Sequence, residues 1–228
     1  NNIFVYYLAS QVGTVGHPAA QNLSAGTGTF TGDVTIGDAS AADKKILFDG
    51  NAQDYHIGLD DSTDSLTIGK GSTLGTTTSM AIDANGIITK PLQPAFLAQP
   101  SSVQSDIAVG SHVTVVFGTE RFDLNADFAS NTFTAPVTGK YQFNVGGYFV
   151  NTDSAASFYQ MRLVTSNKIY SAVVDPDYGQ DAVYQEITLA LLVDMDAADT
   201  AYVSIRQGSG TSQTDVDTDT TFSGYLVA

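Results

Sequence analysis

The chain has 228 residues, of which 43% are hydrophobic and only 14% are charged. This composition excludes a disordered chain, and the longest apolar run, Ile3–Ala9, is far shorter than the roughly 20 residues of a membrane-spanning helix. Nine basic residues against 24 acidic ones give a net charge of -15. Because a negatively charged protein repels a polyphosphate, we expect no nucleic-acid binding. Because the apolar run is short, we expect no membrane insertion. The absence of cysteine excludes a disulfide framework and a Cys-ligated zinc site.

The first segment of the chain, residues 1–31, has the composition of a docking segment followed by a linker. It combines an apolar run, Ile3–Leu8, with a stretch rich in Gly, Ala, Ser and Thr, Ser24–Thr31. We therefore expect residues 1–31 to attach the chain to another protein or to neighbouring subunits.

Residues 32–90 predict a small, extended β region with the character of a stalk. Short strands alternate with turns rich in Asp, Gly and Asn. The predicted strands are Lys45–Phe48, Tyr55–Leu59, Ser65–Ile68, Met80–Ile82 and Gly86–Thr89. Strands this short bury little apolar surface in a monomer, so we expect this region to be stabilised by association with other chains.

The composition changes at Pro91, where three of the six prolines fall within ten residues, and we place a domain boundary there. Seventeen of the 23 Phe and Tyr residues lie between Phe96 and Tyr225, so residues 91–228 should hold the main core. Apolar and polar residues alternate in 141–145 and 159–163, as in strands with one buried face. Further strands are predicted at His112–Phe117, Asn131–Ala135, Lys168–Val174, Tyr184–Val193, Ala201–Arg206 and Thr221–Val227. About eight to ten strands favour an all-β, two-sheet jelly roll or sandwich.

Two motifs in this region resemble those of a known family. The stretch Phe133–Phe143 resembles the C1q-domain signature, a Phe, five residues and then Gly-x-Tyr-x-Phe, and Phe222–Leu226 resembles the last strand of that domain. The resemblance implies a C1q/TNF-like ten-strand jelly roll over Pro94–Ala228 and a homotrimer. The expected core residues are Phe133, Gly139, Tyr141, Phe143, Phe222, Gly224 and Tyr225.

The region Asp43–Thr89 is similar to segments of tail-fibre-like proteins of marine phages. That resemblance implies a bacteriophage virion protein, a trimeric fibre or spike subunit on the particle exterior. The negative charge also favours the outside of a particle, away from the genome. Residues 1–31 would then bind other virion proteins, and the jelly roll would attach to a host-surface glycan or protein. A capsid decoration or head-fibre protein without receptor binding, and a secreted bacterial C1q-like adhesin, are the alternatives.

Catalytic motifs are not found, so we expect no enzymatic activity and no organic cofactor. The histidines, His17, His56 and His112, lie far apart in the sequence, and we expect them at the surface or in turns. The chain has no Gly-x-Ser-x-Gly elbow and no P-loop. Paired carboxylates for glycan hydrolysis are an alternative, but the chain lacks the repeats and the length of a β-helix enzyme.

Acidic clusters give one candidate metal site. Carboxylates surround a Gly-containing loop at Asp175, Asp177 and Asp181, and they alternate at Asp215, Asp217 and Asp219. Oxygen ligands at such spacing could hold Ca²⁺. Residues 123–127 carry a similar run, Asp123, Asn125 and Asp127. Solvated acidic loops are the alternative interpretation.

Overall fold

The computed structural model describes residues 27–228. Two compact units, Asn1–Ser40 and Ala41–Ala228, make up the chain. The described part is all-β, with 17 strands in three antiparallel sheets and no helix, which confirms the predicted fold class. It accordingly has no helix that could cross a membrane. The predicted docking run, Ile3–Leu8, lies outside the described residues.

Residues 44–89 form a five-stranded meander, here called the small sheet. Its strands are β1 (Lys44–Phe48), β2 (Tyr55–Asp60), β3 (Ser65–Lys70), β4 (Thr78–Ile82) and β5 (Ile88–Thr89), which pair in chain order. Turn residues fix the connections. Asp83 accepts hydrogen bonds from the amides of Asn85, at 2.9 Å, and Ile87, at 2.8 Å. The Ile87 bond is the main reason why the pKa of Asp83 lies below its ordinary value.

Residues 95–226 form a jelly roll of two facing sheets. The strands are β6 (Ala95–Gln99), β7 (Val113–Thr114), β8 (Thr119–Leu124), β9 (Phe128–Ala129), β10 (Thr132–Thr134), β11 (Gly139–Thr152), β12 (Tyr159–Thr165), β13 (Ile169–Val174), β14 (Ala182–Met195), β15 (Thr200–Gln207), β16 (Asp215–Val216) and β17 (Thr221–Leu226). The β11 sheet has the order β14-β11-β17-β6-β8, with β16 on β11. The β12 sheet has the order β13-β12-β15-β10-β9, with β7 on β15. The jelly roll has twelve strands where ten were expected. Eight of them have five residues or more, and the other four are segments of two or three residues.

The jelly roll begins and ends at one corner. Its first strand, β6, pairs with its last strand, β17, so that Ala95 lies opposite Tyr225. The Leu226 amide donates to the Pro94 carbonyl at 3.0 Å, and Gln93 Nε2 donates to the Leu226 carbonyl at 2.6 Å. These bonds hold the entry and the exit of the jelly roll together.

An aromatic cluster fills the space between the two sheets. The Phe96 ring lies 4.8 Å from Phe128, 5.1 Å from Phe133 and 4.9 Å from Phe222, measured between ring centroids. Stacked and edge-to-face pairs at these distances add to the energy of burial. Tyr141 is fully buried as well, and its hydroxyl donates to the Val137 carbonyl at 2.7 Å.

Most of the residues expected in the core are buried between the two sheets. The side chains of Phe133, Tyr141, Phe143 and Phe222 are fully buried. Gly224 is buried so close to Phe143 that an added Cβ would lie 2.6 Å from Phe143 Cδ1. Gly139 is half-buried beside the carbonyl of Ala228. Tyr225 is 47% exposed. Alternation along β17 directs Phe222 and Gly224 inwards and Tyr225 outwards, so its expected place in the core is corrected.

Candidate functional site

The small sheet has its polarity reversed, with apolar side chains facing outwards. Along β2, Tyr55, Ile57 and Leu59 are 52%, 36% and 46% exposed, whereas His56, Gly58 and Asp60 are buried. Along β3, Leu66 and Ile68 are exposed, whereas Ser65, Thr67 and Gly69 are buried. A sheet with one solvated face normally directs its polar residues to water, so this exposed apolar face has the character of a protein contact surface.

The strand register joins these side chains into one surface. Ile46 lies opposite Ile57, which lies opposite Ile68, and that row ends at Met80. The row beside it runs from Leu59 through Leu66 and Ile82 to Ile88. The stalk face, as we call this surface, consists of Ile46, Phe48, Tyr55, Ile57, Leu59, Leu66, Ile68 and Ile88. Cross-strand neighbours on one face lie in contact, so the stalk face is continuous.

The opposite face of the small sheet is covered by its own loop, residues 71–77. Leu74 is 6% exposed and packs over Gly58, where a Cβ would lie 3.0 Å from Leu74 Cδ1. His56 is fully buried under this loop, with Nδ1 2.9 Å from the Gly71 carbonyl oxygen. The expectation of a surface or turn position is therefore wrong for His56. Because the loop occupies the polar face, only another chain or another segment can cover the stalk face.

A second apolar surface lies on the outer face of the β11 sheet. Here Phe122, Leu124, Tyr184, Leu192 and Tyr225 are between 37% and 66% exposed, and we call this set the head face. The register places Leu124, Ala95, Tyr225, Gln142 and Leu192 in one row across five strands. The Tyr184 ring lies 5.9 Å from Tyr148, on the same face.

The loop carboxylates expected to bind calcium accept hydrogen bonds from the loops around them. Asp181 accepts from the Ser154 amide at 2.9 Å and from Gln213 Nε2 at 2.9 Å. The Ser154 amide is the main reason why the pKa of Asp181 lies below its ordinary value. Asp215 accepts from the Asp106 amide at 2.9 Å. These carboxylates join neighbouring loops at one end of the jelly roll.

The other acidic positions close local turns. Asp217 accepts from the Asp219 amide at 3.1 Å, and Asp123 accepts from the amides of Asp127 and Phe128. Within residues 27–228 no group of three or more His, Asp or Glu side chains is placed to hold a metal ion. The geometry does not assemble the calcium site expected at Asp175, Asp177 and Asp181 or at Asp215, Asp217 and Asp219, since several of these carboxylates are used by backbone amides.

Comparison with protein families decides the identity of the jelly roll. The C1q domain model matches residues 95–227, which is more than half of the chain. The chain belongs to the C1q domain family. Members of this family are often trimeric and are typically binding or structural domains without enzymatic activity. The small sheet precedes the matched residues.

Solved structures with the C1q/TNF-like fold resemble more than half of the chain. The globular domain of zebrafish complement 1qA is 18% identical, with 60% of this chain and 98% of that chain covered and a TM-score of 0.43. Murine APRIL at pH 8.5 is 10% identical, with 59% and 99% covered and a TM-score of 0.44. Comparison with curated proteins gives no match.

The stalk face was not identified among the candidate residues from sequence, although a signal for it exists. Apolar residues occupy alternate positions at 55, 57 and 59 and again at 66 and 68, with Gly, Ser, Thr, His or Asp between them. Glycine at positions 58 and 69, which alternate with the apolar residues, indicates that another segment lies close to the opposite face of the sheet. Together these two signals predict that the apolar residues lie on the face that the chain leaves open.

Proposed function

We propose that this C1q-family chain is the subunit of a homotrimeric, non-enzymatic structural protein of a bacteriophage particle. The observation that carries the proposal is the stalk face, whose eight large apolar side chains are 36% to 57% exposed. In a trimer, three stalk faces meet around one axis and exclude water. The frequent trimerisation of the family supports the number three.

Burial of the stalk face would supply substantial energy for association. Completing the burial of a half-exposed Ile, Leu or Phe side chain contributes about 1 kcal/mol, and each subunit offers seven such side chains together with Tyr55. Part of that energy offsets the lost freedom of the separate chains. The surplus favours an obligate assembly, which is also the usual solution for sheets of short strands.

The head face supports the same assembly in the jelly roll. A closed ring of three subunits needs a heterologous contact, in which two different patches of the chain meet. The head face offers one patch. Ile169 and Val173 on β13 and Val183 on β14, which are 51% to 61% exposed, offer the second at the edge shared by the two sheets.

The place on a phage particle is proposed from the similarity of Asp43–Thr89 to tail-fibre-like segments and from the net charge of -15. In this proposal residues 1–31 attach to another virion protein, residues 32–90 form the stalk and residues 91–228 form the outward head. The head would contact a host-surface glycan or protein. Labelling of intact particles with antibodies against the head should mark fibre or spike tips; label only over the capsid surface would favour a decoration protein.

Introducing positive charge into the stalk face tests whether it forms the contact of the proposed trimer. Replacement of Ile57 and Ile68 together by Lys places six ammonium groups around the trimer axis, and sedimentation velocity at micromolar concentration should show the mass fall from three chains towards one. Thr73→Lys, in the loop on the opposite face, is the matched control and should leave the trimer intact. Circular dichroism checks that the strands persist. A monomeric wild-type chain, or a trimeric double variant, would contradict the proposal.

A further inference from the structure

The outer face of the β12 sheet is a basic region in an acidic protein. The six strands of this sheet contain no Asp or Glu, although the chain has 24 of them. They hold two of the three arginines, Arg162 on β12 and Arg206 on β15. Two arginines on strands without acidic residues create a positive local potential, although the whole molecule is negatively charged.

The strand register brings the two arginines together. Arg162 lies opposite Ser204, and Arg206 lies opposite Gln160, on neighbouring antiparallel strands. The arginines therefore occupy diagonal positions on one face, about 7 to 8 Å apart at the backbone. Met161 and Ile205, each of which directly precedes one of the arginines, are fully buried on the other face. Two guanidinium groups can thus reach one ligand.

Both guanidinium groups have an unsatisfied donor in the described part of the chain. The Nε atoms of Arg162 and Arg206 are buried and lack a hydrogen-bond partner among residues 27–228. Arg206 lies over the Phe158 ring, with Cζ 5.4 Å from the centroid, which fixes the side chain in place. By contrast, the third arginine, Arg121, donates from Nε to Gln99 Oε1. Adjacent like charges without a counterion destabilise each other, which a bound anion would reverse.

His112 lies at the same place. It precedes β7, whose residues Val113 and Thr114 pair with Ile205 and Ser204, so the chain direction puts His112 beside Arg206. Partial burial, followed by the charges of Arg162 and Arg206, lowers the pKa of His112. The imidazole therefore senses the positive potential of the pair and can report whether a ligand neutralises it.

We propose that Arg162 and Arg206 form a binding site for a carboxylate or sulfate group of an anionic ligand. Each guanidinium presents a planar fork of N–H donors that matches two oxygens of one such group. Gln160, opposite Arg206 in the register, adds a polar side chain to this face, whereas Ser204, opposite Arg162, is buried. The site adjoins the β13 part of the proposed trimer contact, because Ser171 and Val173 lie opposite Arg162 and Gln160 on the same face. It does not depend on the proposed place on a phage.

The full-length chain tests the site by calorimetry. Sodium sulfate and sodium glucuronate are titrated in separate arms, with sodium chloride at equal ionic strength as the reference. We expect saturable binding in at least one arm, and an Arg162→Gln/Arg206→Gln variant should bind at least tenfold more weakly. The matched control, Arg121→Gln, removes one arginine from the other sheet and should bind like the wild type. Binding in one arm alone assigns the site to sulfate esters or to carboxylates, and binding in both assigns it to either.

Imidazole NMR locates the binding. The chain has only three histidines, so the signal of His112 can be assigned with a His112→Gln variant. Bound anion should raise the pKa of His112, because it neutralises the charges of Arg162 and Arg206. Absence of binding in both arms, or binding that survives the double arginine variant, would overturn the proposal. Sedimentation of the same samples keeps this outcome separate from any failure of trimer formation.

Discussion

The aromatic residues at the centre of the jelly roll carry much of its stability. Phe143 is fully buried and contacts the rings of Phe133 and Phe222, with centroids 5.5 Å and 5.8 Å away. Phe143→Ala would remove these contacts and leave a cavity. We expect a loss of about 3 to 5 kcal/mol per chain in the free energy of unfolding, measured by urea denaturation at fixed protein concentration.

Val116→Ala supplies the control for that measurement. Val116 is 49% exposed and lies outside the proposed contact surfaces, so the same kind of truncation should cost less than about 1 kcal/mol. Similar losses for the two variants would show that the aromatic cluster is not the stabilising core.

At residue scale, the alternation of the sequence predicted which positions are buried in the longest strands. Tyr141 and Phe143 lie on the same side of β11 because they are two residues apart. The predicted burial of Tyr225 was wrong because it followed the family motif and not the alternation of Tyr225 with Phe222 and Gly224. The predicted exposure of His56 was wrong because a loop without a periodic pattern, residues 71–77, covers it.

Among the elements, the small sheet depends on close approach between its strands and loop. A Cβ on Gly58 would lie 2.5 Å from the Lys44 carbonyl oxygen and 2.7 Å from Lys45 Cβ. We expect Gly58→Ala to displace β1 and to destabilise the small sheet by about 1 to 3 kcal/mol. Native-state hydrogen exchange should show faster exchange of the β1 and β2 amides, with the jelly roll unchanged.

Gly32→Ala is the corresponding control, because no atom lies within 4 Å of a Cβ at that position. It should leave exchange in the small sheet at the wild-type rate. Wild-type exchange in the Gly58→Ala variant would mean that β1 does not pack against β2 as described.

At the scale of elements, all five strands of the small sheet were predicted to within a few residues, because turn residues mark their ends. In the jelly roll, β6, β8, β9 and β16 were not predicted. All four strands contain or border prolines or acidic residues, which obscure a period of two. Within the predicted strand His112–Phe117, only Val113–Thr114 is strand. Residues 115–117 each donate one isolated hydrogen bond, to β15 or to a side chain outside the sheet ladder.

For the whole molecule, assembly must overcome charge repulsion. Each chain carries -15, and three chains bring three times that charge together. Between about 10 mM and 150 mM NaCl the Debye length falls from about 30 Å to about 8 Å. We expect the dissociation constant of the trimer to decrease several-fold over this range, measured by sedimentation equilibrium. A trimer that weakens with added salt would indicate an interface held by ion pairs and not by the apolar stalk and head faces.

The shared corner at which the jelly roll begins and ends makes that domain a unit that can be exchanged as a whole. Because Gln93 and Pro94 bond directly to Leu226, the chain enters the jelly roll next to its last strand. A recombination event near the codon for Pro94 would replace the jelly roll and leave the preceding residues unchanged. A foreign jelly roll joined there would bring its own pairing of first and last strands, so that the whole domain would be replaced in one step.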